Sequence, residues 1–263
     1  MNKNAMGTAL ITGASTGIGA VYADRLARRG FDLILVARNA ANLEKIATRL
    51  RTETGRSVDV LPADLTEAAD LSSIEHRFET DASITMLVNN AGMDLNGGLL
   101  DNGAAELKRL IDLNITAPTV LAAAAGKAFL GRKAGVIINI ASVLAFAPEF
   151  LDGVYSGSKA FVFNLSLSMA LKMAKHGVQI QVVLPGATRT EIWERSGKNV
   201  DAIVPDAVMD TGDLVDAALV GLDKGEAVTI PPLADEQHWT VYNEARLAMA
   251  PYLSRKEVAP RYR

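Results

Sequence analysis

The stretch from Thr8 to Arg29 constrains the fold most. TALIT, residues 8–12, is a short apolar strand, and TGASTGIG follows with Gly13, Gly17 and Gly19. A helical pattern then runs to Arg29 and stops at Gly30. A strand, a Gly-rich turn and a helix in this order make a phosphate-binding arrangement. The glycines let the backbone approach a pyrophosphate, and the helix N-terminus offers N–H donors and the positive end of its dipole. The spacing is Gly-xxx-Gly-x-Gly, not the commoner Gly-x-Gly-xx-Gly. A helix crossing back from such a strand commits the next strand to a parallel neighbour.

The rest of the chain keeps that rhythm. Strands are expected at 32–37, 57–61, 84–88, 136–140, 178–184 and 227–230, with helical patterns at 39–54, 67–80, 104–130, about 152–176 and 213–223, then a final loop and helix. The alternation predicts an α/β fold, a doubly wound, mostly parallel sheet with helices on both faces. No domain boundary, internal repeat or low-complexity tract interrupts it, so one domain over 1–263 is expected. Residues 187–211, poorly periodic, read as a substrate lid, and 231–263 as a C-terminal segment covering the substrate.

The chemistry concentrates in VIINIASVLAFAPEFLDGVYSGSK, residues 136–159. A buried strand ends near Ser142, a loop follows, and a helix opening near Asp152 carries Tyr155 and Lys159 four positions apart. Residues so spaced share one face. A cation held beside a phenol favours the phenolate, so the Tyr155 pKa is expected to fall from about 10 towards neutrality. Tyr252 and Lys256 repeat the spacing in a basic tail, without a preceding strand or a partner Ser, and read as surface.

Other positions carry two readings. Arg38 stands just past the second strand, where an acidic residue would bind ribose hydroxyls and Arg suits a 2′-phosphate; NADP(H) is therefore favoured over NAD(H). Asp64 either accepts from an adenine amino group or caps the next helix, with Glu67 three residues on. Asn89 either borders a ligand with Asn90, Ala91 and Gly92 or ties strands together. Asn114, inside an apolar helix, either bonds a local carbonyl or marks an interruption that holds a polar group in a site. Pro185 and Gly186 end the sixth strand at the sheet edge where open α/β folds bind ligands.

Composition narrows the classes. A net charge of −3 gives no electrostatic case for nucleic acid or an anionic membrane. The chain has no Cys, so thiolate chemistry and disulfides are excluded. His76, His176 and His238 share no metal-ligand spacing. No uncharged apolar run approaches a membrane span, and no signal-peptide core opens the chain, so a cytoplasmic protein is expected.

Taken in order, TGASTGIG at 12–19, Asp64, NNAG at 89–92, Asn114, Ser142, Tyr155 with Lys159, and Pro185-Gly186 resemble the short-chain dehydrogenase/reductase family, in its compact single-domain branch. The resemblance covers residues 7 to about 190. It implies a Rossmann-like, seven-stranded sheet and hydride transfer between a nicotinamide cofactor and a ketone or aldehyde, reversibly. By it, Tyr155 is the general acid or base, Lys159 tunes it and binds the nicotinamide ribose, Ser142 holds the substrate oxygen, and Asn114 orders a water. Gly13, Ser15, Gly17, Ile18 and Gly19 would line the diphosphate and adenosine end, with Arg38 on the 2′-phosphate. Asp64 and Leu65 would meet the adenine, Asn90, Ala91 and Gly92 the adjacent ribose, and Thr188 and Thr190, beyond Pro185 and Gly186, the carboxamide. Thr16 departs from the pattern, since many NADP-preferring members carry a basic residue there. The resemblance further implies a homodimer or homotetramer built on the helices of Asn114 and Tyr155. An NAD-bound sugar-nucleotide epimerase or dehydratase, and a non-catalytic dinucleotide sensor, are the alternatives; 3-oxoacyl, steroid-like, sugar and small aliphatic ketones all stay open as substrates.

Overall fold

The computed structural model describes residues 6–150 and 153–263. Seven parallel strands form one sheet in the order β3-β2-β1-β4-β5-β6-β7. They are β1 (Thr8–Thr12), β2 (Asp32–Ala37), β3 (Val58–Pro62), β4 (Ile84–Asn89), β5 (Gly135–Ile140), β6 (Val178–Val183) and β7 (Val228–Thr229). The order reverses between β1 and β4, which opens a crevice at their carboxyl ends, where such sheets take ligands.

Each central strand sends alternate residues to opposite faces, so its continuous apolar run feeds two cores. Ala9 and Ile11 of β1, with Leu33 and Leu35 of β2, pack against α1 (Gly17–Arg28), α2 (Ala40–Thr54) and α9 (Thr211–Asp223) through Tyr22, Leu26, Leu43 and Leu219. Leu10, Ile34 and Leu87 face the other way, onto α3 (Ala68–Thr80) and α5 (Ala117–Arg132) through Ile74, Phe78, Leu121 and Phe129. Phe78 and Phe129 meet edge to face, 6.2 Å between centroids. Each such fully buried side chain contributes roughly 1.5–3 kcal/mol.

The helical stretch expected at 104–130 is continuous from Ala104 to Arg132 but changes period inside. It consists of α4 (Ala104–Ile111), a π-helical turn (Asp112–Thr116) and α5. By length and composition this one helix among the described residues is apolar enough to cross a membrane, although no uninterrupted apolar run of that length exists in it. Half of its most apolar window is buried, because Leu121, Ala125 and Phe129 belong to the core on the sheet. The following helix, α6, is described from Gly153 to Met173; its expected opening near Asp152 lies outside the described residues.

Two short helices, α7 (Ile192–Arg195) and α8 (Val200–Ile203), occupy the poorly periodic region after β6. The described chain divides into two compact units, one ending at Pro231 and one running from Pro232 to Arg263. The second unit carries α10 (Glu236–Ala248), which has no buried residue, and a tilted stack of Trp239 on Tyr242 with 5.9 Å between centroids. Tyr252 and Lys256 are exposed, as expected of a surface pair.

Candidate active site

A cleft of about 1110 Å³ opens at the carboxyl edge of the first unit's sheet. Its lining brings together nearly every residue singled out in the sequence: Gly13, Ser15, Gly17, Ile18, Arg38, Asp64, Leu65, Asn90 to Gly92, Ser142, Tyr155, Lys159, Pro185, Gly186, Thr188 and Thr190. Gly19 and Asn114 stand just behind that surface, both buried.

At one end the glycine-rich turn leads into α1. Its N-cap, Thr16, makes no side-chain cap bond, and the first turn has no acidic residue. The helix start is thus not capped by Thr16, and its N–H groups are of the kind that suit an anion. Gly19 lies so close to the turn that a Cβ there would sit 2.4 Å from the Gly13 carbonyl oxygen and 2.5 Å from Asn90 Nδ2. The Asn90 side chain is itself committed to the scaffold, donating to the carbonyls of Thr12 (3.0 Å) and Gly13 (3.2 Å). A backbone-lined turn ahead of a helix N-terminus fits the diphosphate of a dinucleotide.

Asp64 does not cap α3. That position falls to Glu67, without a side-chain cap bond, because Asp64 instead closes its own turn by accepting from Thr66 N (3.0 Å) and Thr66 Oγ1 (2.7 Å). Its other oxygen faces Arg109 Nη2 at 3.2 Å and Arg38 Nη1 at 3.8 Å. Burial pushes this carboxyl up, but the Thr66 bonds and then Arg109 and Arg38 outweigh it and hold the group below the usual carboxylate range. Arg109, on α4, is a cation at this end that the sequence reading missed. A second is Arg195 of α7, whose Nη2 donates to Thr16 Oγ1 at 3.3 Å. Thr16, the position that lacked a basic residue in sequence, thus receives one from a segment 179 residues away.

The other end holds the polar groups of β5 and α6. Ser142 caps a 3₁₀ turn, accepting from Leu144 N at 3.2 Å, and its hydroxyl reaches the Pro185 carbonyl only at 3.5 Å. Lys159 Nζ donates to the Ile140 carbonyl at 3.1 Å and lies 5.6 Å from the centroid of the Tyr155 ring. Asn114 sits in the π-helical turn, so the helix is interrupted at this residue. Its Oδ1 accepts from Met93 N (2.9 Å), and its Nδ2 donates to Met93 O (2.8 Å) and Ser158 Oγ (3.1 Å). Ser158 in turn donates to the Tyr155 carbonyl. Asn89 ties strands, donating to Asn139 Oδ1 (3.0 Å) and Pro118 O (3.2 Å), which bears out the scaffold reading.

The expectation of an acidified phenol is not met by the protein's own groups. Burial pushes the Tyr155 hydroxyl up, and the Asp94 carboxylate adds to the rise. Lys159 holds its proton less firmly than a free lysine: desolvation brings it down to about 8, with Asp94 opposing. Desolvation thus outweighs the Tyr-Lys attraction assumed from the spacing. Asp94 was not singled out in sequence; only its position two residues past NNAG could have pointed to it.

His76, His176 and His238 are exposed, and the described residues contain no grouping of side chains able to hold a metal.

The family model for short chain dehydrogenases matches residues 7–201. The chain belongs to the short-chain dehydrogenase family. It is thereby an oxidoreductase of alcohol and carbonyl groups. A short-chain dehydrogenase from Sphingobium yanoikuyae, solved in complex with NADPH, is 49% identical, with a TM-score of 0.95 over 98% of this chain and 100% of that one. The bulky-bulky ketone specific alcohol dehydrogenase from Comamonas testosteroni is 44% identical, with a TM-score of 0.90 over 98% of both chains. Human 17-beta-hydroxysteroid dehydrogenase type 3 is 37% identical over 194 residues, which is 73% of this chain but 62% of that protein. This short-chain dehydrogenase therefore spans less than two thirds of that steroid dehydrogenase's length.

Proposed function

We propose that this short-chain dehydrogenase reduces ketones with bulky apolar substituents to secondary alcohols, reversibly, with NADPH favoured over NADH. The observation that carries the reading is that Tyr155, Lys159 and Ser142 line the same cleft as the glycine-rich turn and Arg38. NADPH, when bound, supplies the hydride. Everything else is the work of side chains already in place.

Tyr155 holds the proton that the carbonyl oxygen needs. A phenol kept protonated by burial holds the proton that reduction consumes, and takes it back when the reaction runs towards oxidation. Ser142 orients the carbonyl oxygen; its bond to Pro185 is long enough that redirecting the hydroxyl costs little. Lys159, held by the Ile140 carbonyl, carries a proton that it releases near pH 8, and so can replenish Tyr155. Asn114 fixes the 93–94 backbone against α6 and keeps the polar end of the cleft in register.

At the opposite end, Arg38, Arg109 and Arg195 outnumber the carboxylates of Asp64 and of Glu191, which lies beside Gly17. A surplus of guanidinium suits a 2′-phosphate, and the Sphingobium relative was solved with NADPH. Residues 187–211 serve as the substrate lid: Ile192, Trp193, Ile203 and Val204 give the cleft an apolar wall. Relatives named for a bulky ketone and for a hydroxysteroid support a large apolar substrate. Exposed Ile111, Leu130, Phe161 and Leu171 on the long helices support a homodimer or homotetramer.

Tyr155→Phe tests the reading. Turnover of a bulky aryl ketone with NADPH should fall by about 10³-fold, within the range of general acid–base effects, while NADPH affinity stays within about threefold. Activity within tenfold of the parent would overturn the role of Tyr155.

A further inference from the structure

The lid touches the catalytic end of the cleft through a sheltered ion pair. Asp94 leaves the NNAG turn two residues after Gly92, where a Cβ would be in van der Waals contact, 3.4 Å, with both Lys159 Nζ and Asn114 Oδ1. Met93, between them, is clamped by Asn114 through both its N–H and its carbonyl. The Asp94 side chain, 7% exposed, pairs with Lys198 Nζ from the lid, itself 17% exposed. Next to it, Gly197 takes φ +67°, and a Cβ there would meet Asn96 Oδ1 at 2.9 Å. The turn carrying Gly197 and Lys198 is fixed by bonds from Gly197 N to Glu194 O (3.0 Å) and from Lys198 N to Trp193 O (2.8 Å). Two adjacent lid residues therefore seat on 94–96, and one of them brings the counter-charge.

We propose that Asp94 and Lys198 are positioning residues for the acid–base pair: Asp94 presents a negative charge to Tyr155 and Lys159, and the seated lid cancels it through Lys198. The proposal rests on the reading of Tyr155 as the proton donor. A carboxylate this buried needs a partner. With the lid seated, it and Lys198 form a near-neutral pair. With the lid raised, its charge is bare, and it favours the protonated forms of Tyr155 and Lys159. Among the described residues, Lys159 is also held by the Ile140 carbonyl of β5, and Ser142 lines the cleft with the pair. Opening thus reloads the proton on Tyr155, and closing over substrate makes that proton easier to give. No atom is transferred by Asp94 itself.

The test is the pH dependence of kcat for alcohol oxidation, which rises with pH as the Tyr155–Lys159 pair loses its proton; the apparent midpoint belongs to the pair. Asp94→Asn should move the midpoint down, and Lys198→Gln should move it up, each by about half a pH unit to one unit. The double variant should follow Asp94→Asn, because Lys198 acts through Asp94. Cleavage by chymotrypsin after Trp193 should quicken in both single variants, the result that a purely structural latch would also give. Opposite midpoint shifts are what a latch alone would not give. Midpoints that move together, or stay within about 0.2 units, overturn the proposal. NADPH fluorescence titration reports folding; should Asp94→Asn fail to bind, Lys198→Arg must keep the parent midpoint while Lys198→Gln raises it. Tyr155→Phe is run alongside. Retained turnover there strikes the acid–base reading, whereas unmoved midpoints in an enzyme still dependent on Tyr155 strike the ion-pair proposal alone.

Discussion

The two walls of the cleft are built by opposite means. The cofactor-facing wall is backbone: the 13–19 turn and the 90–92 turn press against each other at the ends of β1 and β4, and polar side chains such as Asn90 are consumed in holding them. The lid wall is side chain. Its helices have four residues each, and its links to the rest of the first unit include a Trp193 indole bond to Thr188 O (2.8 Å), a bridge from Thr188 to Met209, and the Asp94–Lys198 pair. A backbone wall anchored in a buried sheet tolerates almost no added atom. A wall of side chains on short helices opens locally without disturbing the core. The two walls thus differ in how much a change of one side chain disturbs the backbone behind it.

The largest effect that would break this contrast comes from one methyl group on the rigid side. Gly19→Ala places a carbon 2.4 Å from the Gly13 carbonyl and 2.5 Å from Asn90 Nδ2. The first is backbone and the second is held by its bonds to the Thr12 and Gly13 carbonyls, so the turn must shift. Loss of about 3 kcal/mol in urea unfolding is expected, together with NADPH binding at least about 100-fold weaker by fluorescence titration, because the displaced atoms are those of the turn itself. A variant of parent stability and affinity would show that the wall is not rigid. Arg38→Ala comes next. Its guanidinium is 60% exposed and contributes little to the fold. NADPH affinity should drop about 10- to 100-fold, as for loss of a charged hydrogen-bonding partner, with NADH affinity nearly unchanged. Equal losses for both nucleotides would remove the 2′-phosphate contact from the model of the site.

This difference between walls also explains what could be read in the sequence. The rigid wall is made from contiguous motifs, since glycines and short polar residues at strand ends are local requirements: TGASTGIG and NNAG each form one turn. The strands were legible because each is an apolar run in a sheet covered on both faces. Their ends moved by a residue, as at β3 (Val58–Pro62), where Pro62 still pairs with Ala37 at the edge. What stayed hidden is pairing across long separations. Arg195 meets Thr16 over 179 residues, and Lys198 meets Asp94 over 104. Charges on a poorly periodic loop carry no register, so no spacing rule could join them. The direction of the Tyr155 shift failed for a related reason. The i,i+4 spacing revealed the neighbour, whereas burial, which decides the balance, depends on everything packed around the pair.

The smallest effect sharpens the comparison from the adjustable side. Trp193 is half-buried, lines the cleft and donates from its indole to Thr188 O. Trp193→Ala removes on the order of 60 Å² of apolar contact surface from a bulky ketone, which at about 25 cal/mol per Å² corresponds to roughly tenfold in KM. Because α7 has four residues and no buried one, the deletion should leave global unfolding within about 1 kcal/mol of the parent. NADPH affinity should also hold, since the opposite wall is untouched. Trp193→Phe separates the two contributions of the residue: it keeps most of the apolar area and loses the bond to Thr188. A KM close to the parent's would assign the effect to area, whereas a KM as high as that of the alanine variant would assign it to the bond that fixes the ring. A deletion that lowered stability by several kcal/mol would instead make the lid part of the core, and the contrast between the walls would fail from this side.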